Sequence, residues 1–76
     1  MNKVRRTALR KIITEIRQLA DELESIREEE EEYRDNMPEN MQGSEKYEKA
    51  EDAISSMSDA FDSIESAVDS IESALE

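Results

Sequence analysis

The sequence predicts an all-α protein: an antiparallel two-helix coiled-coil hairpin that is expected to dimerise into a four-helix bundle. Apolar residues recur at alternating steps of three and four in both halves of the chain, and the only Pro and the only Gly lie near the middle. Charged residues make up 41% of the chain and aromatic residues 4%. The spacing is that of a coiled-coil heptad, and the composition is typical of long helices.

The second helix, predicted over about residues 44–76, has the cleaner heptad pattern. A row of alanines runs beside its apolar positions at steps of seven residues, and Ser and acidic residues fill the outer positions. We expect the apolar row to face the first helix. Its members are Tyr47, Ala50, Ile54, Met57, Phe61, Ile64, Val68, Ile71 and Leu75.

The first helix is predicted over about residues 3–34, and the loop over about 35–43. Its apolar row is Leu9, Ile12, Ile16, Leu19, Leu23 and Ile26, followed by Glu30 and Tyr33. In the loop, Pro38 fixes its own backbone, Gly43 tolerates a left-handed conformation, and Ser44 can cap the next helix. These turn signals favour a hairpin.

Folding the chain about Asn40 brings apolar residues opposite one another. The predicted pairs are Ile26 with Ile54, Leu23 with Met57, Leu19 with Phe61, Ile16 with Ile64, Ile12 with Val68 and Leu9 with Ile71. The same register predicts that Arg27 lies near Glu51 and Arg6 near Glu72. The match of consecutive layers favours a folded-back coiled coil over one continuous rod.

In a two-helix hairpin each apolar residue of the seam is covered on one side only, and its other side stays exposed to water. We therefore expect a second hairpin to cover that side and complete a four-helix bundle. Some residues widen the apolar face beyond the seam, and small side chains among them allow close helix approach. The candidate dimer face is Ile13, Ala20, Ala53, Ala60, Ala67 and Ala74.

Composition argues against catalysis. The chain has no Cys and no His, which removes disulfides, the commonest metal ligands and the usual proton shuttle at neutral pH. We therefore expect no enzyme activity, no cofactor and no metal site. No apolar run approaches the roughly 20 residues of a membrane span, and the N-terminus lacks the apolar stretch of a signal peptide. We expect a soluble, cytoplasmic protein.

The net charge of −11 bears on partners, since no Lys or Arg follows Lys49. Such a surface repels phosphates, so direct nucleic acid binding is not expected, and the basic cluster near the N-terminus can pair with acids of the second helix. A basic protein surface fits better. The candidate partner-binding residues are Glu28, Glu29, Glu31, Glu32, Asp62, Glu65 and Asp69, with Met37 and Met41 in the loop.

Two of these groups also have plainer interpretations. The run of acids from Glu28 to Glu32 is also what a solvated helix end looks like, because Glu favours helix. Met37 and Met41 can instead close the open end of the hairpin, with Tyr33 and Tyr47 beside them.

The segment "EEEEEYRDNMPENMQGSEKYEKAEDAI", from Glu28 to Ile54, resembles small acidic helical-hairpin proteins of phages and mobile elements in Gram-positive gut bacteria. The resemblance implies a helical hairpin of unknown activity in the cytoplasm of a bacterial host. "MQG" from Met41 to Gly43 is a looser likeness to the hairpins exported by type VII secretion, which have a Trp-x-Gly turn; this chain has no Trp.

Two classes of function follow from these features. The first is an acidic protein that occupies a basic, nucleic-acid-handling surface of another protein, as DNA-mimic inhibitors do. The second is a structural or assembly coiled coil that acts by homo-oligomerisation, with a hairpin like those of type VII secretion as a further alternative.

Overall fold

The computed structural model describes residues 1–76 and contains two long helices that pack side by side. Helix α1 spans Lys3–Asp35 and helix α2 spans Glu45–Leu75, with a short 3-10 turn at Glu39–Met41 between them. The molecule is a rod with extents of 60 × 15 × 13 Å. The predicted all-α fold and its two packed helices are confirmed.

Side-chain caps fix where each helix begins. The backbone N–H of Arg5 donates to Oδ1 of Asn2 at 2.8 Å, and the N–H of Tyr47 donates to Oγ of Ser44 at 3.3 Å. Gly43, just before Ser44, has a φ of 90°, which a residue with a Cβ rarely adopts. The predicted roles of Gly43 and Ser44 in the turn are therefore confirmed.

The core is thin, because only six of the 76 residues are buried. They are Ile13, Ala20, Met37, Ala50, Ile54 and Val68. Every other member of the apolar row predicted for α2 is half-buried. That row faces α1 as expected.

The apolar row predicted to face α2 from α1 is partly wrong, because α1 is rotated about its own axis relative to the prediction. Ile12, Leu19 and Ile26 are 43%, 61% and 55% exposed, and Tyr33, one heptad further on, is 49% exposed. The residue after each of the first three lies in the seam instead: Ile13 and Ala20 are buried and Arg27 is half-buried. Leu9, Ile16 and Leu23 are half-buried, so they belong to the seam in either phase.

Several predicted contacts between the helices are wrong for the same reason. The exposure of Ile12, Leu19 and Ile26 breaks their pairings with Val68, Phe61 and Ile54. The guanidinium of Arg27 lies 5.4 Å from the centre of the Phe61 ring, and its Nη1 lies 3.4 Å from Oγ of Ser58. Arg27 was expected near Glu51, but it contacts Ser58, seven residues further along α2. The two helices are therefore shifted along each other relative to the predicted register.

Arg6, which was expected near Glu72, also has a different partner. Arg6 donates to the backbone carbonyl of Leu75 at 3.0 Å, and the carboxylate of Glu72 pairs with Arg17. Turning α1 to bury Leu19 would carry Arg17 away from α2 and lose this cross-helix pair. It would also remove the Arg27 guanidinium from the Phe61 ring, where the stem of Arg27 covers apolar surface.

Adjacent isoleucines in α1 provide a direct test of its rotation. Ile13→Ala should lower the free energy of unfolding by about 2–3 kcal/mol, because Ile13 is 7% exposed and its loss leaves a cavity. Ile12→Ala is the matched control and should cost about 1 kcal/mol or less in a dilute sample of single chains. Chemical denaturation measures both, and a larger cost for Ile12 would contradict this rotation.

Candidate functional site

Four exposed apolar side chains form one row along α1. Ile12, Leu19, Ile26 and Tyr33 follow one another at steps of seven residues, so they share one heptad position and lie in line along the helix. We call them the isoleucine row. Single exposed apolar residues are common on proteins, but four in line are the pattern of a helix face that packs on another.

The acidic residues of helix α2 are confined to one side of the helix. Two adjacent rows have no acidic residue: Ala53, Ala60, Ala67 and Ala74 form the alanine row, and Lys49, Ser56, Ser63 and Ser70 form the serine row. All ten acidic residues from Glu45 onward lie outside these two rows. They are Glu45, Glu48, Glu51, Asp52, Asp59, Asp62, Glu65, Asp69, Glu72 and Glu76.

The isoleucine row and the alanine row lie on the same side of the hairpin. The Arg17–Glu72 ion pair crosses between the helices on one side of the seam. Leu19 and Ala74 each follow a member of that pair by two residues, which is about 200° around a helix. Both rows therefore flank the seam on the side opposite the ion pair. Together these eight residues are called the apolar face.

The opposite side of the hairpin is charged and holds an open groove of about 430 Å³. Ala20, Phe61, Ile64 and Val68 form its apolar floor, and the small side chain of Ala20 leaves the space. The rim of the groove carries Arg17, Asp21, Glu65 and Asp69.

The predicted partner-binding acids do not come together in one place. Glu28, Glu29 and Glu32 are exposed on α1 near the loop, whereas Asp62, Glu65 and Asp69 are exposed along α2. Glu31 is half-buried, and its Oε1 lies 3.8 Å from Nε of Arg27.

Of the two loop methionines, one was wrongly assigned to partner binding. Met37 is buried at the end of the hairpin, so it cannot contact a partner, while Met41 is half-buried. Burial of Met37 matches the alternative interpretation, in which a methionine closes the open end of the hairpin.

The predicted dimer face is partly wrong. Ile13 and Ala20 are buried against α2, so they cannot form an outer contact. Ala60, Ala67 and Ala74 are exposed and Ala53 is half-buried. The sequence prediction placed the isoleucine row of α1 in the seam between the helices, whereas the structure leaves it exposed.

Two groups near the loop end of the hairpin, Arg34 and Tyr47, have raised pKa values. Nε of Arg34 lies 3.1 Å from Oδ1 of Asp35, and this hydrogen bond raises the pKa of Arg34. Partial burial, followed by the nearby carboxylate of Glu51, raises the pKa of the Tyr47 hydroxyl. Nε of Arg27 is buried without a hydrogen-bond partner; the guanidinium contacts the Phe61 ring and Ser58 and lies within 4 Å of the carboxylates of Glu24 and Glu31.

No group of three or more carboxylates converges on a point where a metal ion could bind. Neither helix contains a stretch that is long and apolar enough to cross a membrane.

Comparison of the chain with protein-family models, curated proteins and solved structures returned no match. The resemblance to acidic hairpins of phages and mobile elements therefore stays a prediction. The fold and the surface define the molecule as a two-helix hairpin with an apolar face on one side and a charged groove on the other.

The raised pKa of Tyr47 leads to a pH prediction. In a Tyr33→Phe chain Tyr47 is the only tyrosine, and its phenolate absorbance should titrate above the ordinary value of about 10. Denaturant should return the midpoint to about 10. Because the folded state favours the neutral phenol, this contribution to stability is complete below pH 10 and is lost as pH rises through the folded pKa. Equal midpoints with and without denaturant would contradict the partial burial of Tyr47 beside Glu51.

Proposed function

We propose that this protein is an assembly module that associates with a second copy of itself through the apolar face, giving a four-helix bundle of two hairpins. The observation that carries the proposal is the coincidence of the isoleucine row of α1 with the acid-free side of α2. The proposed role needs no catalysis, cofactor or metal.

The size of the apolar face suits a stable contact between two chains. One side of the rod, 60 Å long and 15 Å wide, has a footprint of about 900 Å². Stable interfaces bury about 800 Å² on each partner. The full length of one side is therefore enough, and the isoleucine row runs along most of α1.

Charge separation supports the same face. A net charge of −11 opposes the approach of two copies through most of their surface. On the alanine and serine rows of α2 the only charged side chain is Lys49, and Lys46 extends the alanine row by one heptad. This side is where two copies can meet with the least repulsion.

The thin core gives a physical reason for association. A chain of this length buries a smaller fraction of its surface than a larger domain does, and below about 70–80 residues oligomerisation is one of the usual sources of extra stability. Covering Ile12, Leu19 and Ile26 with a second hairpin would remove apolar surface that the single hairpin leaves in water.

The proposal predicts which added charges dissociate the dimer. Leu19→Glu places a carboxylate in the apolar face and should convert the protein to monomers at micromolar concentration, since an unpaired charge would be buried. Gln18→Glu adds the same charge to a neighbouring exposed residue and should leave the dimer intact. Ala67→Glu with its control Ser66→Glu repeats the comparison on α2.

Sedimentation equilibrium measures these masses, and circular dichroism verifies that each variant keeps its helices. A wild-type chain of monomer mass, or a dimer that survives both Leu19→Glu and Ala67→Glu, would overturn the proposal.

A second candidate function uses the acidic side of the hairpin. The acids of α2 all lie outside the alanine and serine rows, so in a four-helix bundle they would remain on the outer surface, and Asp62, Glu65 and Asp69 are exposed there. A partner with a basic surface, such as one that handles nucleic acid, would match them in charge. If the chain derives from a phage, this partner would be met in the cytoplasm of the bacterial host.

Affinity capture from the native host tests the second candidate. A basic partner should be retained at low salt and released when salt shortens the screening length to a few ångströms. A triple variant, Asp62→Asn, Glu65→Gln and Asp69→Asn, should lose that partner.

The matched control removes three acids from another row of α2, namely Glu45, Asp52 and Asp59, by the same kind of substitution. This control should keep the partner. Equal loss in both triple variants would show that net charge alone governs the capture, and retention by the first triple variant would exclude its three acids as the contact.

A further inference from the structure

We propose that the two hairpins meet with α1 of one copy lying over α2 of the other, with both loops at the same end of the bundle. This arrangement rests on the self-association proposed above and specifies its geometry. The two-fold axis then runs parallel to the helices.

A symmetric pair of hairpins joined through the apolar face has two ways to assemble. With the two-fold axis parallel to the helices, each α1 lies over the partner's α2 and the loops are together. With the axis across the helices, each α1 lies over the partner's α1 and the loops are at opposite ends. Both place neighbouring helices antiparallel, so helix direction does not choose between them.

Side-chain size favours the first arrangement. Arg27 contacts Ser58, and the short side chain of Ala20 lines one groove with Ile64 and Val68. Ile26 and Ala60 therefore lie at similar heights along the rod. The heptad step extends this match to Leu19 with Ala67 and to Ile12 with Ala74.

An axis parallel to the helices preserves these heights between the copies. Each large side chain of the isoleucine row then meets an alanine of the partner, and large and small residues interdigitate. The other arrangement places Leu19 against Leu19 of the second copy, and alanines against alanines. The two α1 helices, with large side chains between them, would then lie further apart than the two α2 helices.

The rims of the apolar face favour the same choice. On α1 the exposed row next to the isoleucine row contains Glu15, Glu22 and Glu29. In the arrangement with loops together, these carboxylates meet the serine row of the partner's α2, whose hydroxyls can donate to them. With loops at opposite ends, the glutamates of the two copies face each other, and like charges across an interface are unfavourable.

A distance between the two loops decides between the arrangements. The chain has no Cys, so Asn40→Cys in the exposed turn gives a single site for a spin label. Pulsed electron paramagnetic resonance should then report a distance of roughly 20–30 Å, a few helix spacings of about 10 Å including the label tethers. A distance near the 60 Å length of the hairpin would overturn the arrangement.

The two proposals fail in different ways. A long loop-to-loop distance in a protein of dimer mass sinks the arrangement and leaves self-association standing. A monomer mass with no dipolar coupling between labels sinks both.

Disulfide trapping gives an independent readout. A mixture of Leu19→Cys chains and Ala67→Cys chains should form the mixed disulfide under mild oxidation, because these residues face each other in the proposed bundle. Leu19→Cys alone should cross-link poorly. Efficient self-linking of Leu19→Cys, with little mixed product, would overturn the arrangement in favour of loops at opposite ends.

Discussion

The rotation of α1 about its own axis is the constraint on which the rest of this structure depends. Two of the cross-helix contacts depend on it: the guanidinium of Arg27 over the ring of Phe61, at 5.4 Å from the ring centre, and the ion pair of Arg17 with Glu72. With α1 turned this way, Ile13 and Ala20 are buried. The larger side chains of the isoleucine row are left outside, and the outer surface of the hairpin follows from that choice.

The exposure of these side chains lowers the free energy of unfolding of a single hairpin. Complete burial of an Ile or Leu side chain is worth about 1.5–3 kcal/mol, so covering the half-exposed Ile12, Leu19 and Ile26 would add about 3 kcal/mol in total. Small domains are stable by only about 5–15 kcal/mol. A loss of about 3 kcal/mol is large compared with that total stability, and it is recovered if another surface covers the isoleucine row. The acid-free side of α2 lies beside that row, which is why we propose a second copy as its cover.

Much of the fold could be predicted from the sequence because its signals are local. Gly43 and Ser44 determine how the turn ends, and the heptad of α2 has one dominant apolar row. The rotation of α1 could not be predicted by counting apolar residues, because apolar residues are adjacent at Ile12–Ile13 and at Leu19–Ala20. Either member of each pair can face α2 together with Leu9, Ile16 and Leu23, so the sequence allows two rotations of the helix. A count of apolar residues favours the rotation that buries the larger side chains. It also treats Arg27 as polar, although the guanidinium of Arg27 lies over the ring of Phe61. The same error placed Ile13 and Ala20 on an outer face, whereas the exposed alanines of α2 could be identified from their spacing.

Nuclear Overhauser contacts to the Phe61 ring test the rotation of α1 most directly. Phe61 is the only phenylalanine, so its ring protons are unambiguous in a chain labelled for this purpose. The structure predicts contacts from the side chain of Arg27 to that ring and none from the methyl groups of Leu19. Strong contacts from Leu19 with none from Arg27 would show that α1 is turned the other way, with the isoleucine row inside the hairpin.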